Sequence, residues 1–390
     1  MFIKEGKNLT RFKDGVFALS NMAKADSDPN TINATVGSLC GEDGQLVALD
    51  SVFAEYDKVT NRQKAAYAKG ALGNPDFLRA MEKFVLEDKA KGNAIATNGG
   101  TAAIALALDM CRKEGDTVLL PSVAWGNYKL MVEERNLKVS LYDPYDLNDL
   151  KDKMSKESKP FVVINSPCEN PCGLSYTYEQ WKEILDYCSS FKETIVLNDI
   201  AYIDYAYDED AKKYMELFND LKENVLVLVA SSCSKAFSYY GQRLGCLLVI
   251  NSNEEFKDLF VNQCEKHIRT SYSSVNNGAM IALTNLLNNN YETFLEEKNK
   301  YRDLLKERSD LFVSEAKECG LNIYPYNEGF FITVKYEDND FRDKVHEALI
   351  KNHIYCVKLN KGIRVGICAT PLNKVKGLAK KIKDTENSVR

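Results

Sequence analysis

A lysine stands directly behind a buried-looking apolar run: NVLVLVAS (224–231) leads into Ser232-Cys233-Ser234-Lys235, with Arg243 eight residues on and Gly245 closing the stretch. A primary amine in that place is a nucleophile for a carbonyl, and a nearby guanidinium is a fork for phosphate or carboxylate. Other apolar runs end in comparable chemistry. NAIAT (93–97) is followed by Asn98-Gly99-Gly100-Thr101 and then the helical run AAIALALDMCRKEG. Two glycines and a hydroxyl opening a helix offer bare backbone N–H groups to an anion. DTVLLP (116–121) is followed by Ser122-Val123-Ala124-Trp125-Gly126-Asn127, and PFVVIN (160–165) by Ser166-Pro167-Cys168-Glu169-Asn170-Pro171-Cys172-Gly173. ETIVLN delivers Asp199, with Tyr202 three positions later. A carboxylate at the end of an apolar strand is costly to bury unless something cationic meets it.

Each feature has an ordinary reading on its own. The Gly pair is a tight turn, the tryptophan fills core, Asn-Pro starts a turn, and a lysine snorkels to the surface. Together they place an anion cradle, an aromatic plate, an Asn, an Asp/Tyr pair, a Lys and an Arg at consecutive strand ends, where open α/β sheets bind ligands. That inventory fits pyridoxal phosphate. Its pyridine needs a plate and a carboxylate to keep the nitrogen protonated, its phenolate oxygen needs donors, its aldehyde needs a lysine, and its phosphate needs an anion site. A dinucleotide site would need G-x-G-x-x-G, which GGTAA does not supply.

From Ile32-Asn33 to about Thr370 the chain also resembles the fold-type I pyridoxal phosphate enzymes, specifically the aspartate/tyrosine/aromatic (class I) aminotransferases. The resemblance rests on Ser232-Cys233-Ser234-Lys235 with Arg243, on Asn170-Pro171-x-Gly173, and on Asp199-x-x-Tyr202. Gly99-Gly100-Thr101, Trp125-x-Asn127 and Arg364 inside GIRVGICATP match as well. It implies that Lys235 takes the cofactor aldehyde and shuttles the substrate proton, that Asp199 pairs with the pyridinium, and that Asn170 and Tyr202 hold the phenolate oxygen. Trp125 is implied to stack on the ring, and Gly99, Gly100, Thr101, Ser232, Ser234 and Arg243 to bind the phosphate. Arg364 is implied to clamp the substrate α-carboxylate, with Gly37, Asn170 and Trp125 bordering the substrate. The clamp fixes which Cα bond stands perpendicular to the ring, favouring proton loss over loss of carboxylate.

Two further matches bear on assembly and specificity. Arg269, in Ile268-Arg269-Thr-Ser-Tyr272-Ser273-Ser274, resembles the family arginine that a neighbouring subunit lends to a substrate's distal carboxylate. Tyr67 resembles the tyrosine that reaches the partner's phosphate, although Tyr67-Ala-Lys-Gly70-Ala-Leu-Gly73 is one residue longer than usual. Both imply a homodimer with shared active sites. Departures stand at Gly126 (usually Pro), Cys172 (often Thr), Leu39 (often Tyr) and Ser274 (often Asn), and lean away from strict aspartate specificity. The resulting expectation is an aminotransferase working through pyridoxamine phosphate between 2-oxoglutarate and an aromatic or acidic L-amino acid. A lyase or α-decarboxylase on the same fold is the alternative, with a cofactor-sensing binding module behind it.

The elements that must carry these residues alternate. To the runs above are added LKVSLY (137–142) and GCLLVI (245–250), with amphipathic segments such as PDFLRAMEKFVLEDK (75–89) and YEQWKEILDYC (178–188) between them. The pattern predicts an α/β fold, a mostly parallel sheet covered on both faces. Beyond it, 291–320 reads as one long helix stopped by Gly320. Strand-like pieces LNIYPY, FFITVKY, IYCVKL and IRVGICA follow around a helix near 340–352. The expected division is a large cofactor-binding domain over 46–298 and a small α+β domain built from 1–45 plus 299–390.

Composition narrows the partners. The 390 residues carry 51 basic and 56 acidic side chains, a net charge of −5, with no basic block, so nucleic acid and anionic membrane are unexpected partners. No apolar run approaches a membrane span, and MFIKEGKNLTRFKDGV lacks the apolar core of a signal peptide. Eleven scattered cysteines suit a reducing cytoplasm better than disulfides. Cys168-x3-Cys172 lacks further ligands at zinc-like spacing, Cys233 reads as a packing residue, and KKIKD (380–384) as a solvated helix face.

Overall fold

Short Val/Ile/Leu runs bounded by Gly, Pro and Asp become strands in the computed structural model, which describes residues 15–390. In chain order they are β1 (Ile32–Ala34), β2 (Asn93–Thr97), β3 (Thr117–Pro121), β4 (Lys138–Tyr142), β5 (Phe161–Asn165) and β6 (Thr194–Asp199). They continue as β7 (Val225–Ser232), β8 (Gly245–Ile250), β9 (Phe331–Lys335), β10 (Ile354–Leu359) and β11 (Gly362–Gly366). Seven form one sheet in the order β2-β8-β7-β6-β5-β3-β4, all parallel except β8, which runs against both of its neighbours. Alternate residues serve opposite faces: Val162, Val196 and Val227 enter one apolar cluster, and Val163, Leu197 and Leu228 the other. Both faces are therefore covered, as a parallel sheet requires.

The polarity of β8 decides where Arg243 goes. Gly245 opens β8 opposite Ser232, the last residue of β7, and opposite Thr97, the last of β2. The loop entering β8 thus lies at the same sheet edge as the carboxyl ends of β2, β3, β5, β6 and β7.

A second sheet, β1-β10-β11-β9, joins β1 from the first part of the chain to three strands from the last part. Its register sets Arg364 between Val357 and Thr333. The helix Tyr291–Cys319 buries Phe294, Leu305, Phe312 and Ala316 and ends at Gly320, whose φ of 69° is left-handed and free of strain for glycine. One apolar cluster runs from the large sheet through this helix into the small sheet, containing Val227, Phe294, Phe312 and Ile363 together. The helix Gly15–Ala25 lies on β10, packing Leu19 and Ala23 against Tyr355.

The differences from expectation are local. LNIYPY is not a strand: Ile323 alone bridges to Val334, and Pro325 has no N–H to extend the pairing. In IRVGICA the strand stops at Gly366 and a 3₁₀ turn, Ile367–Ala369, follows. The helix expected over 75–89 ends at Leu86, where Glu87 and Asp88 turn left-handed at φ 48° and 59°. The expectation for the first sixteen residues falls almost entirely outside the described ones. No described helix is long and apolar enough to cross a membrane.

Candidate active site

The strand ends open into a cavity of about 910 Å³ between the two sheets. It is lined by Gly37, Gly100, Thr101, Trp125, Asn170, Asp199, Tyr202, Ser232, Ser234, Lys235, Arg243 and Arg364, so twelve of the sequence-predicted residues meet there.

Lys235 sits in the short helical turn Cys233–Ala236 that ends β7. Its Nζ donates to the Gly37 carbonyl at 2.5 Å and lies 4.8 Å from the Tyr240 ring centre and 5.5 Å from that of Tyr202. Burial, with the Arg364 and Arg243 charges adding to it, brings its ammonium down to about 8. Gly37 is held to glycine by crowding: a Cβ there would stand 2.8 Å from Cζ of Phe331.

Five residues build an anion cradle. Gly99, at φ 89°, precedes the helix Gly100–Cys111, and a Cβ on Gly99 would come within 2.4 Å of the Arg243 guanidinium. A Cβ on Gly100 would press to 3.0 Å from that of Ser232. Arg243 Nη1 donates to Ser234 Oγ at 3.1 Å and to the Tyr240 carbonyl at 2.9 Å, which aims the fork beside the helix N-terminus. Bare helix N–H groups, two serines and a guanidinium suit a phosphate dianion.

Asp199 ends β6, buried, with neutral donors on both oxygens: the Tyr128 hydroxyl on Oδ2 at 2.5 Å and the Ala201 N–H on Oδ1 at 3.0 Å. Burial pushes its carboxyl up to about 6 against those two hydrogen bonds. Nearby, Asn170 Nδ2 donates to the Tyr202 hydroxyl at 3.3 Å. Arg364 donates through Nη1 to Asn170 Oδ1 at 3.0 Å and through Nη2 to the Thr35 carbonyl at 2.8 Å, over the Phe331 ring at 4.2 Å. Its Nε is buried and has no partner among the described residues. A buried guanidinium with an orphaned N–H is prepared for an incoming carboxylate. The donor set, the cradle and the half-buried amine together fit pyridoxal phosphate with an amino-acid substrate beside it.

Similarity to known proteins agrees with this chemistry. The family model for aminotransferase class I and II matches residues 29–382. The chain belongs to that family. Among relatives of this class I and II aminotransferase, the aspartate aminotransferase of Salmonella typhi is 28% identical over 330 residues, covering 79% of this chain and 82% of that one. The aromatic-amino-acid aminotransferase of Paracoccus denitrificans is 28% identical over 263 residues, covering 63% and 65%. A solved aminotransferase from Anaerococcus prevotii superposes with a TM-score of 0.94 at 27% identity, covering 99% of this chain and 100% of that chain. The fold is shared as well with an aromatic-amino-acid aminotransferase from Burkholderia pseudomallei, covalently bound to pyridoxal phosphate, at TM-score 0.81 and 21% identity over 96% and 97% of the two chains.

Three predicted residues of this aminotransferase stand apart from the cavity lining. Gly99 lies just behind it, shaping the cradle. Tyr67, 87% exposed, and Arg269 meet instead in a separate surface depression with Lys69, Glu265, Lys266 and Ser273, and Arg269 donates to Ser273 Oγ at 2.6 Å. Sequence reasoning missed Tyr128, Thr35 and Glu169 as parts of the site. The Glu169 carboxyl is buried beside Asn170, accepts the Cys172 N–H at 2.7 Å, and is pushed up to about 8 by burial. The helix Gly15–Ala25, which brings Leu19 and Ser20 to the cavity, was equally unread. The one available signal for Tyr128 was a polar aromatic three residues after Trp125.

Proposed function

We propose that the chain is a pyridoxal phosphate-dependent transaminase that moves the amino group between an aromatic or acidic L-amino acid and 2-oxoglutarate. In this reading it works in the cytoplasm as a homodimer with shared active sites. The observation that carries the reading is the placement of a depressed-pKa lysine, a buried Asp and an orphaned Arg around one cavity with an anion cradle at its edge.

When bound, the cofactor supplies a carbonyl for the amino group and a ring that accepts electron density as Cα is deprotonated. The remaining chemistry belongs to the chain. Gly100, Thr101, Ser232, Ser234 and Arg243 would hold the phosphate, and Asp199 would keep the ring nitrogen protonated. Asn170 and Tyr202 would hold the phenolate oxygen, and Trp125 would supply an apolar wall for the ring. Arg364, fixed by Asn170 and Thr35, takes the α-carboxylate, so that the Cα–H bond and not the carboxylate is aligned for cleavage. Lys235, neutral in a useful fraction near neutral pH, would take that proton at Nζ and hold it for return to the reacting group. Tyr67 and Arg269 face outward in one chain, which supports their serving a partner's site, with Arg269 receiving a distal carboxylate.

A panel of L-amino acids assayed against 2-oxoglutarate tests this reading. Aromatic and acidic donors should yield glutamate and the matching keto acid. The Arg269→Leu variant should lose dicarboxylate use at least about tenfold more than aromatic use, the scale of one charge-assisted hydrogen bond. Pyruvate and ammonia in place of glutamate, or equal loss on both substrate classes, would refute the corresponding part.

A further inference from the structure

We propose, on the functional reading above, that Tyr128 is a positioning residue that fixes both the Asp199 carboxylate and the Trp125 plate for the cofactor ring. Tyr128 lies on the helix Asn127–Glu133, 2% exposed, and one side chain makes both contacts. Its hydroxyl donates to Asp199 Oδ2 at 2.5 Å, and its ring meets Trp125 edge-on, with centroids 5.4 Å apart and planes at 85°. Nothing in the sequence joins these groups, since Tyr128 and Asp199 are 71 residues apart.

The chemistry of the donor matters as much as its place. Burial first, and then the charge of Asp199, hold the Tyr128 phenol well above its ordinary range, so it remains a donor wherever the protein is folded. The other ionisable groups facing Tyr128 are Glu169 and Tyr202, both held towards their neutral forms by burial. A neutral hydroxyl stabilises and orients a carboxylate without cancelling its charge. With the Ala201 N–H on Oδ1 and the Tyr128 hydroxyl on Oδ2, the Asp199 carboxyl is held in one orientation at the cavity wall. The edge contact to Trp125 is energetically modest, but it ties the plate to the same anchor.

Two variants separate the roles. Tyr128→Phe keeps the ring and the Trp125 contact and removes only the hydroxyl, whereas Tyr128→Leu removes both. The readout is the dissociation constant of pyridoxal phosphate, by equilibrium dialysis from about pH 5 to about pH 8, across the range in which Asp199 titrates. Tyr128→Phe should bind the cofactor about tenfold to a hundredfold more weakly near pH 7, the scale of a hydrogen bond to a charged group. Losing the donor raises the Asp199 pKa further, so the acid side of the affinity curve should also move to higher pH. Tyr128→Leu should bind more weakly still. An affinity curve for Tyr128→Phe that superimposes on wild type would overturn the proposal. So would a uniform loss at every pH with the acid side unmoved, which marks packing alone. Wild-type protein that takes up no pyridoxal phosphate would overturn the functional reading and this proposal with it.

Discussion

An ordinary lysine holds its proton to about pH 10, and Lys235 departs from that because its amine is taken out of water beside two guanidinium groups. Only the neutral amine attacks an aldehyde. The rate at which the free chain takes up pyridoxal phosphate should therefore rise with pH through about 8 and level off above it, followed by absorbance at fixed cofactor concentration. A rate still climbing towards pH 10, as for a solvated lysine, would contradict the burial argument. Lys235, Asp199 and Asn170 were legible in the sequence because such side chains stand out at the ends of apolar runs, whereas Arg364, inside β11, was legible only through the family resemblance. Tyr128 and Thr35 were not. A tyrosine on a short helix is unremarkable until Asp199 is seen against it, and Thr35 acts through its backbone carbonyl, which any residue would supply.

The elements that carry those residues were read from periodicity, and the seven strands of the large sheet fall within a residue or so of the expected runs. What periodicity could not give was strand direction. Arg243 reaches the cradle because β8 is antiparallel, a fact of pairing between distant segments. LNIYPY failed as a strand for the opposite reason: apolar alternation was present, but a proline interrupts the donors that a ladder needs. The long helix also does more than connect. Arg308, fully buried on it, donates to the Cys40 and Cys368 carbonyls at 2.9 and 3.1 Å and to Glu42 Oε1 at 3.0 Å through Nε. Those contacts tie down the segments that follow Gly37 and Arg364. Arg308→Met should therefore cost about 2–4 kcal/mol, because the buried Cys40 carbonyl loses its donor and Glu42 its cationic partner, while the Cys368 carbonyl keeps the Cys40 N–H. The check is urea unfolding, and a loss below about 1 kcal/mol would show that the segments are held by other contacts.

At the scale of the whole molecule, a sheet from the middle of the chain and a sheet from its two flanks enclose one cavity, and we propose 46–298 and the two flanking segments as the corresponding domains. The net charge of −5 gives no hint of this, since Lys235, Arg243 and Arg364 gather locally for anionic ligands. Composition narrowed the partners, while order along the chain located the site. The arrangement as a whole makes one claim above the others: the ends of β2, β3, β5, β6 and β7 and the loop entering β8 deliver their residues to one cavity, in which Lys235 is the reacting amine. Borohydride reduction of the protein loaded with pyridoxal phosphate, followed by peptide mass spectrometry, tests it most directly. The account predicts a phosphopyridoxyl group on the peptide containing Lys235 and none on the corresponding peptide of Lys235→Ala. Label confined to another lysine, or no label at all, would contradict it.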